Sequence, residues 1–157
     1  FLIDKNILKK IVNIVPIEGK TVLEIGKAFR SKSDLENLVS ELLDNIYAFN
    51  YCEVLFKPTL AKKVQFRSTR EEFKSYFLGQ NNICDEDSGF AIKDWKSIKF
   101  ENYKIIEHND YLLSMGNYYF IDDKNKSLKV EYTFGFIRTE KKELRINLHH
   151  SSLPFNE

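Results

Sequence analysis

The sequence predicts an α+β domain in which N-terminal helices cover one face of a bent, curved antiparallel sheet. Three observations carry this. Apolar residues recur at helical spacing through the first half of the chain. From residue 95 onward the period changes to two, in long runs separated by short polar turns. Aromatic residues reach 14% of the 157, with Phe 13 and Tyr 8, as suits side chains that pack on a pleated surface. Helices followed by a strand meander give α+β, not alternating α/β.

The elements follow in order. Ile3, Ile7, Leu8, Ile11, Val12 and Val15 mark a first helix, with Asp4 as cap and Pro16 as its stop. Thr21–Ile25 reads as a short strand between turns at Glu18-Gly19 and Gly26. Ser33 with Glu36 has the capping-box spacing for a second helix, whose stripe is Leu35, Leu38, Val39, Leu42, Leu43, Ile46 and Tyr47. Tyr51–Phe56 is a strand ended by Pro58. Ser68 with Glu71 or Glu72 opens a third helix, and Gly79 closes it. Residues 80–88 are loop. Strands are then expected over 95–106, 111–121, 127–138 and 144–152, with turns at Asn109-Asp110, 122–126 and 140–142.

The formal net charge is +1, which gives no bulk attraction to nucleic acid or an anionic membrane. No apolar run approaches the length of a membrane span. Cys52 and Cys84 have neither metal-site nor disulfide-framework spacing; they read as idle thiols in a reducing compartment, cytoplasmic or organellar matrix. No metal and no cofactor is expected. A chain that starts at Phe1 is either processed or part of a longer product.

Regular alternation along 144-LRINLHHSS-152 puts Leu144, Ile146, Leu148 and His150 on one face and Arg145, Asn147, His149 and Ser151 on the other. If the apolar face looks inward, His150 becomes the candidate catalytic or ligand-binding group, since a partly buried imidazole titrates near neutrality. The alternative is a core histidine bonded to a carbonyl or a Tyr hydroxyl. His149 then lies on the convex face as an interface residue. Glu131 shares that face and is placed to pair with Arg145 across neighbouring strands. Lys57 and Arg67 are candidate anion-binding groups, Arg67 because it precedes a helix N-terminus. Tyr119 joins them as a ligand-binding candidate. The other aromatics of the stripes, Tyr118, Phe120, Tyr132, Phe134 and Phe136, read as core.

The segments EVLFKPTLA (53–61), QFR (65–67), SYFLG (75–79), GFAI (89–92), SMGNYYF (114–120), VEYTFGF (130–136) and LRINLHHSSLP (144–154) resemble bacterial stand-alone relatives of the calcium/calmodulin-dependent protein kinase II association (hub) domain, in the nuclear transport factor 2-like superfamily. The resemblance spans about 49–155. It implies a cone-shaped sheet packed by the N-terminal helices, a homo-oligomer, a small carboxylate ligand, and a non-enzymatic scaffold or ligand-binding module. Where kinase hubs carry an inward arginine, this chain has Thr133 and Phe134. Enzymes of the same superfamily imply a rival, an isomerase, cyclase or dehydratase using a cavity His. A third reading is an accessory subunit of a larger assembly.

Residues 1–26, FLIDKNILKKIVNIVPIEGKTVLEIG, resemble instead the start of ribosomal RNA adenine dimethyltransferases. The glycine-rich cofactor loop should follow, but the chain continues Lys27-Ala28-Phe29-Arg30, so methyltransferase activity is not expected. The division expected is an arm over 1–32, which adds a strand to the sheet edge or extends a helix, and a hub-like domain over 33–157.

Overall fold

The computed structural model describes residues 19–31, 34–79 and 82–156. The expected helix over residues 3–15 and its Asp4 cap lie outside them, as does Ser33.

Residues 19–30, here α1, are helical, not a strand. The run Thr21–Ile25 is apolar enough for either. The wider spacing decides: Val22, Ile25 and Gly26 fall on one helical face and all are buried. Gly26 lies where an added Cβ would come within 2.9 Å of the Ala91 carbonyl oxygen, so its small size permits the helix to seat. Val22 and Ile25 are part of the hydrophobic core.

The second helix, α2, spans Leu35–Asn45 and is capped by Asp34, whose carboxylate accepts the Asn37 N–H. It buries Val39, Leu42 and Leu43. The third, α3, spans Arg70–Leu78. Its capping box is one residue later than the spacing of Ser68 suggested: Thr69 accepts the Glu72 N–H, and Glu72 takes the Thr69 N–H in return. Gly79 ends it at φ 63°, a conformation that costs glycine little.

Five strands form one sheet: β1 Leu55–Lys57, β2 Trp95–Glu107, β3 Tyr111–Asp122, β4 Ser127–Arg138 and β5 Leu144–Ser152, in the order β1-β5-β4-β3-β2. The last four make the expected antiparallel meander. β1 is shorter than the Tyr51–Phe56 expectation and joins β5 in parallel. Register shifts at Asn102/Lys104 in β2 and at Gly135/Phe136 in β4 break the regular ladders; such bulges bend strands. The helices cover the inner face over a core that includes Phe56, Phe73, Phe77, Phe134 and Phe136.

Candidate functional site

The register shift on β5 decides which histidine faces inward. Gly135 of β4 pairs with Leu148 and Phe136 with Ile146, so Asn147 is an extra residue opposite no partner. Two successive β5 residues, Asn147 and Leu148, are thereby only half-buried, and the alternation restarts one residue late. His149 and Ser151 point into the core, 3% and 2% exposed, and His150 is exposed. The expected faces of the two histidines are therefore reversed, and His150 is not the cavity group.

His149 sits in a closed polar cluster within an aromatic shell. Its Nδ1 lies 2.8 Å from the Tyr47 hydroxyl, and its Nε2 lies 2.8 Å from Ser151 Oγ and 3.2 Å from the Tyr118 hydroxyl. Tyr118 and Ser151 share a further bond of 2.8 Å. Each partner is placed by backbone structure. Tyr47 follows α2 and bridges to Ile146, with Ala48 N–H on the Ile146 carbonyl and Ile146 N–H on the Ile46 carbonyl. Tyr118 comes from the centre of β3, opposite Val130. The rings of Phe56 and Phe134 lie 4.8 and 4.4 Å from the imidazole.

Burial, with the neighbouring His150 adding to it, pushes His149 down to about 3. A charged imidazole has too little water or counter-charge there to offset its desolvation. At neutral pH it is an uncharged ring, a donor on one nitrogen and an acceptor on the other.

Beside the cluster is a small chamber lined by Thr59, Tyr76, Tyr118, His149 and Ser151 together with the rings of Phe56, Phe77, Phe90 and Phe120. Its free volume is about 10 Å³, roughly the least that accommodates one water. The donors meeting it are one imidazole and several hydroxyls; catalytic zinc centres use three protein ligands of the His, carboxylate or thiolate kind.

The other expected site residues lie elsewhere. Arg67 is 1% exposed, and its guanidinium is occupied within the chain: Asp87 takes Nη1 and Nη2 at 2.7 and 3.0 Å, the Val64 carbonyl takes Nε, and the Glu72 carbonyl takes Nη1. Burial disfavours the charge, but the Asp87 partnership outweighs it and raises Arg67 further. An outside carboxylate therefore finds its place already filled. Lys57 and His150 pair in register on the outer side of the sheet, where Lys57 reaches the Ser151 carbonyl at 3.4 Å. With Leu55, Phe66, Leu148 and Arg67 they border an open cleft of about 390 Å³, which brings three of the expected ligand-binding residues together. Tyr119 bonds Glu101 on the sheet surface at 2.8 Å. Glu131 and Arg145 do not pair: Glu131 stands opposite Ser152 and accepts its hydroxyl, while Arg145 stands opposite Ile137 and binds Glu143 at 2.9 Å. Among the described residues, Thr59, Tyr47, Tyr76, Tyr118 and Ser151 are the site residues missed. The three tyrosines gave only the signal of hydroxyls in otherwise apolar stripes, and Thr59 and Ser151 gave none.

A protein-family model described as "Metal-independent carbonic anhydrase" matches residues 9–153. A curated protein of that name from Nostoc sp. is 32% identical over 142 residues, 88% of this chain and 69% of its own length. A solved iota-carbonic anhydrase from a cyanobacterium, complexed with bicarbonate, superposes at a TM-score of 0.90 with 29% identity, covering 99% of this chain and 94% of the other. A structure from Xanthomonas campestris named for the kinase II association domain follows at a TM-score of 0.58 and 16% identity, covering 91% and 84%; it shares the fold. A ribosomal RNA small subunit methyltransferase A from Mycoplasma mobile is 38% identical over 86 residues, 55% of this chain but 32% of its own length. The helix at 19–30 replaces the strand that would lead into a methyltransferase cofactor loop.

Proposed function

Because the chain belongs to the metal-independent carbonic anhydrase family, we propose that it catalyses the reversible hydration of carbon dioxide to bicarbonate in the chamber beside His149. The family match overturns the expectation of a non-enzymatic scaffold or ligand-binding module, along with the lean against an enzyme. An isomerase, cyclase or dehydratase and an accessory subunit give way with it. The hub resemblance was drawn from segments spread over β1, α3 and the strand meander, and such segments report fold more than chemistry.

One observation carries the reading: an uncharged imidazole, a serine and a tyrosine hydroxyl form a closed hydrogen-bonded ring on a chamber of about one water. In hydration, the water oxygen attacks the carbon, one C=O electron pair moves onto oxygen, and the water must shed a proton. His149 is too costly to charge to keep that proton. Its work is to orient the two hydroxyls that relay it. The Ser151 and Tyr118 hydroxyls can each accept one proton while donating another, and His149 meets both of them through Nε2 alone. The water proton enters this ring as a proton from the ring reaches a carbon dioxide oxygen. The ring ends neutral, and the carbonic acid formed ionises to bicarbonate on release. Tyr47 fixes the imidazole through Nδ1, as an orienting partner does for other catalytic histidines. The aromatic shell keeps bulk water from competing.

Bicarbonate is a small carboxylate-like anion, so that part of the ligand expectation is retained. A homo-oligomer is retained too. Leu55, Met115 and Tyr103, 64, 55 and 84% exposed, leave apolar area on the outer sheet surface that a second copy can cover.

The test is carbon dioxide hydration followed by a pH indicator in stopped flow, on protein dialysed against a chelator. The intact chain should accelerate hydration. His149→Gln and Ser151→Ala should each lower kcat/KM by about a hundredfold or more, the usual worth of a positioned proton-transfer group. Hydration no faster than in buffer alone would refute the assignment.

A further inference from the structure

Thr59 and Phe90 are the chamber residues that come from irregular chain, and Thr59 belongs to the connection 58–69 between β1 and α3. No ladder fixes most of this stretch; only Arg67 bridges back to Phe56. Besides the bond from Arg67 Nε to the Val64 carbonyl, the segment is gathered by one further side chain. The backbone N–H groups of Lys62, Lys63 and Val64 all donate to the Glu86 carboxylate, at 2.8, 2.9 and 2.7 Å. Three successive amides converging on an anion form a concave nest, and here the chain supplies its own anion. Those amides, with Lys63 foremost, hold the Glu86 carboxyl below the usual carboxylate range. The next residue, Asp87, takes both Arg67 donors and the Ser75 hydroxyl, the last at 2.6 Å. The far end of the connection is thus tied to the same pair of acidic residues, 86 and 87.

We propose that Glu86 is a positioning residue for the chamber: by gathering the amides of 62–64 it holds the connection 58–69 down, so that Thr59 completes the wall over His149 and Ser151. This rests on the assignment of the hydration chemistry to that chamber. Glu86 touches none of the reacting atoms and acts through Thr59. Loss of the clamp leaves the imidazole ring system intact but the chamber ill-closed, so substrate is held less well while the relay survives.

The test compares the intact chain with Glu86→Ala and Glu86→Gln, below the melting midpoint of the least stable of them. Glutamine keeps one carbonyl oxygen able to accept amides and should restore part of the effect. In Glu86→Ala the amides of 62–64 should exchange with deuterated solvent about tenfold faster or more. KM for carbon dioxide should rise about tenfold with a smaller change in kcat, as expected when a wall residue is displaced. A purely structural role would lower the melting temperature and leave KM unchanged. Faster exchange with KM and kcat unchanged would overturn the inference, as would unchanged exchange at 62–64. An inactive wild-type chain would overturn the functional reading and the role of Glu86 with it, whereas an active wild type matched by Glu86→Ala overturns the role of Glu86 alone.

Discussion

At the scale of single residues, the main fact is that His149 is uncharged. Its unfolded-state value is near 6.5 and its folded value about 3. Between them the unfolded chain binds one more proton than the folded chain, so stability falls as pH drops through this window. The loss from this residue is about 1.4 kcal/mol per pH unit. Above the unfolded value both states are neutral and the contribution is flat. Denaturation at successive pH values should show this acid slope in the intact chain and a shallower one in His149→Gln, and kcat/KM should show no inflection from His149 near neutral pH. The sequence made a cavity histidine legible from the His-His pair but not which of the two it was. Tyr47 and Tyr118 were legible as buried stripes, yet a tyrosine in a stripe reads as packing until a second polar atom is known to lie within reach of its hydroxyl.

At the scale of elements, the strands from 95 to 152 were legible nearly to their ends, because long alternating runs with polar turns have few other solutions. The helix over 19–30 was not, since a five-residue apolar run suits either period and Gly26 reads as a turn when its tight approach to Ala91 is unseen. The bulge at Asn147 was also illegible: Arg-Ile-Asn-Leu-His carries no glycine or proline to mark it, and only pairing with β4 shows the extra residue. Arg67 reads from sequence as a free cation before a helix because its partner lies 20 positions away. That pair is a buried one, with side chains 0 and 3% exposed. Asp87→Ala should therefore cost about 3–5 kcal/mol in urea denaturation by stranding the guanidinium. A smaller loss than an ordinary surface substitution produces would contradict the account of Arg67 as internally satisfied.

At the scale of the whole molecule, the two sides of the sheet carry different work. The inner side holds the chamber. On the outer side, the row Lys57, His150, Thr133 and Met115 runs across β1, β5, β4 and β3, beside an open groove of about 490 Å³ bordered by Tyr103, Glu131 and Ser152. Covering this surface with a second copy is the expected use of its apolar area. Light scattering at several concentrations should give a mass above that of one 18.6 kDa chain, and Met115→Lys should lower it by placing an unpaired charge in the contact. A monomer at every concentration would remove the second copy.

The small volume of the chamber has a mechanical consequence. On the proposed hydration, water and carbon dioxide together need more than the resting volume of about 10 Å³, so a turnover in this chamber would begin with the wall swelling. That expansion makes the molecule larger at the barrier than at rest, and interiors this tightly packed resist compression. Hydrostatic pressure should therefore slow the proposed hydration at pressures too low to unfold the chain, and a variant with a loosened wall should lose that sensitivity.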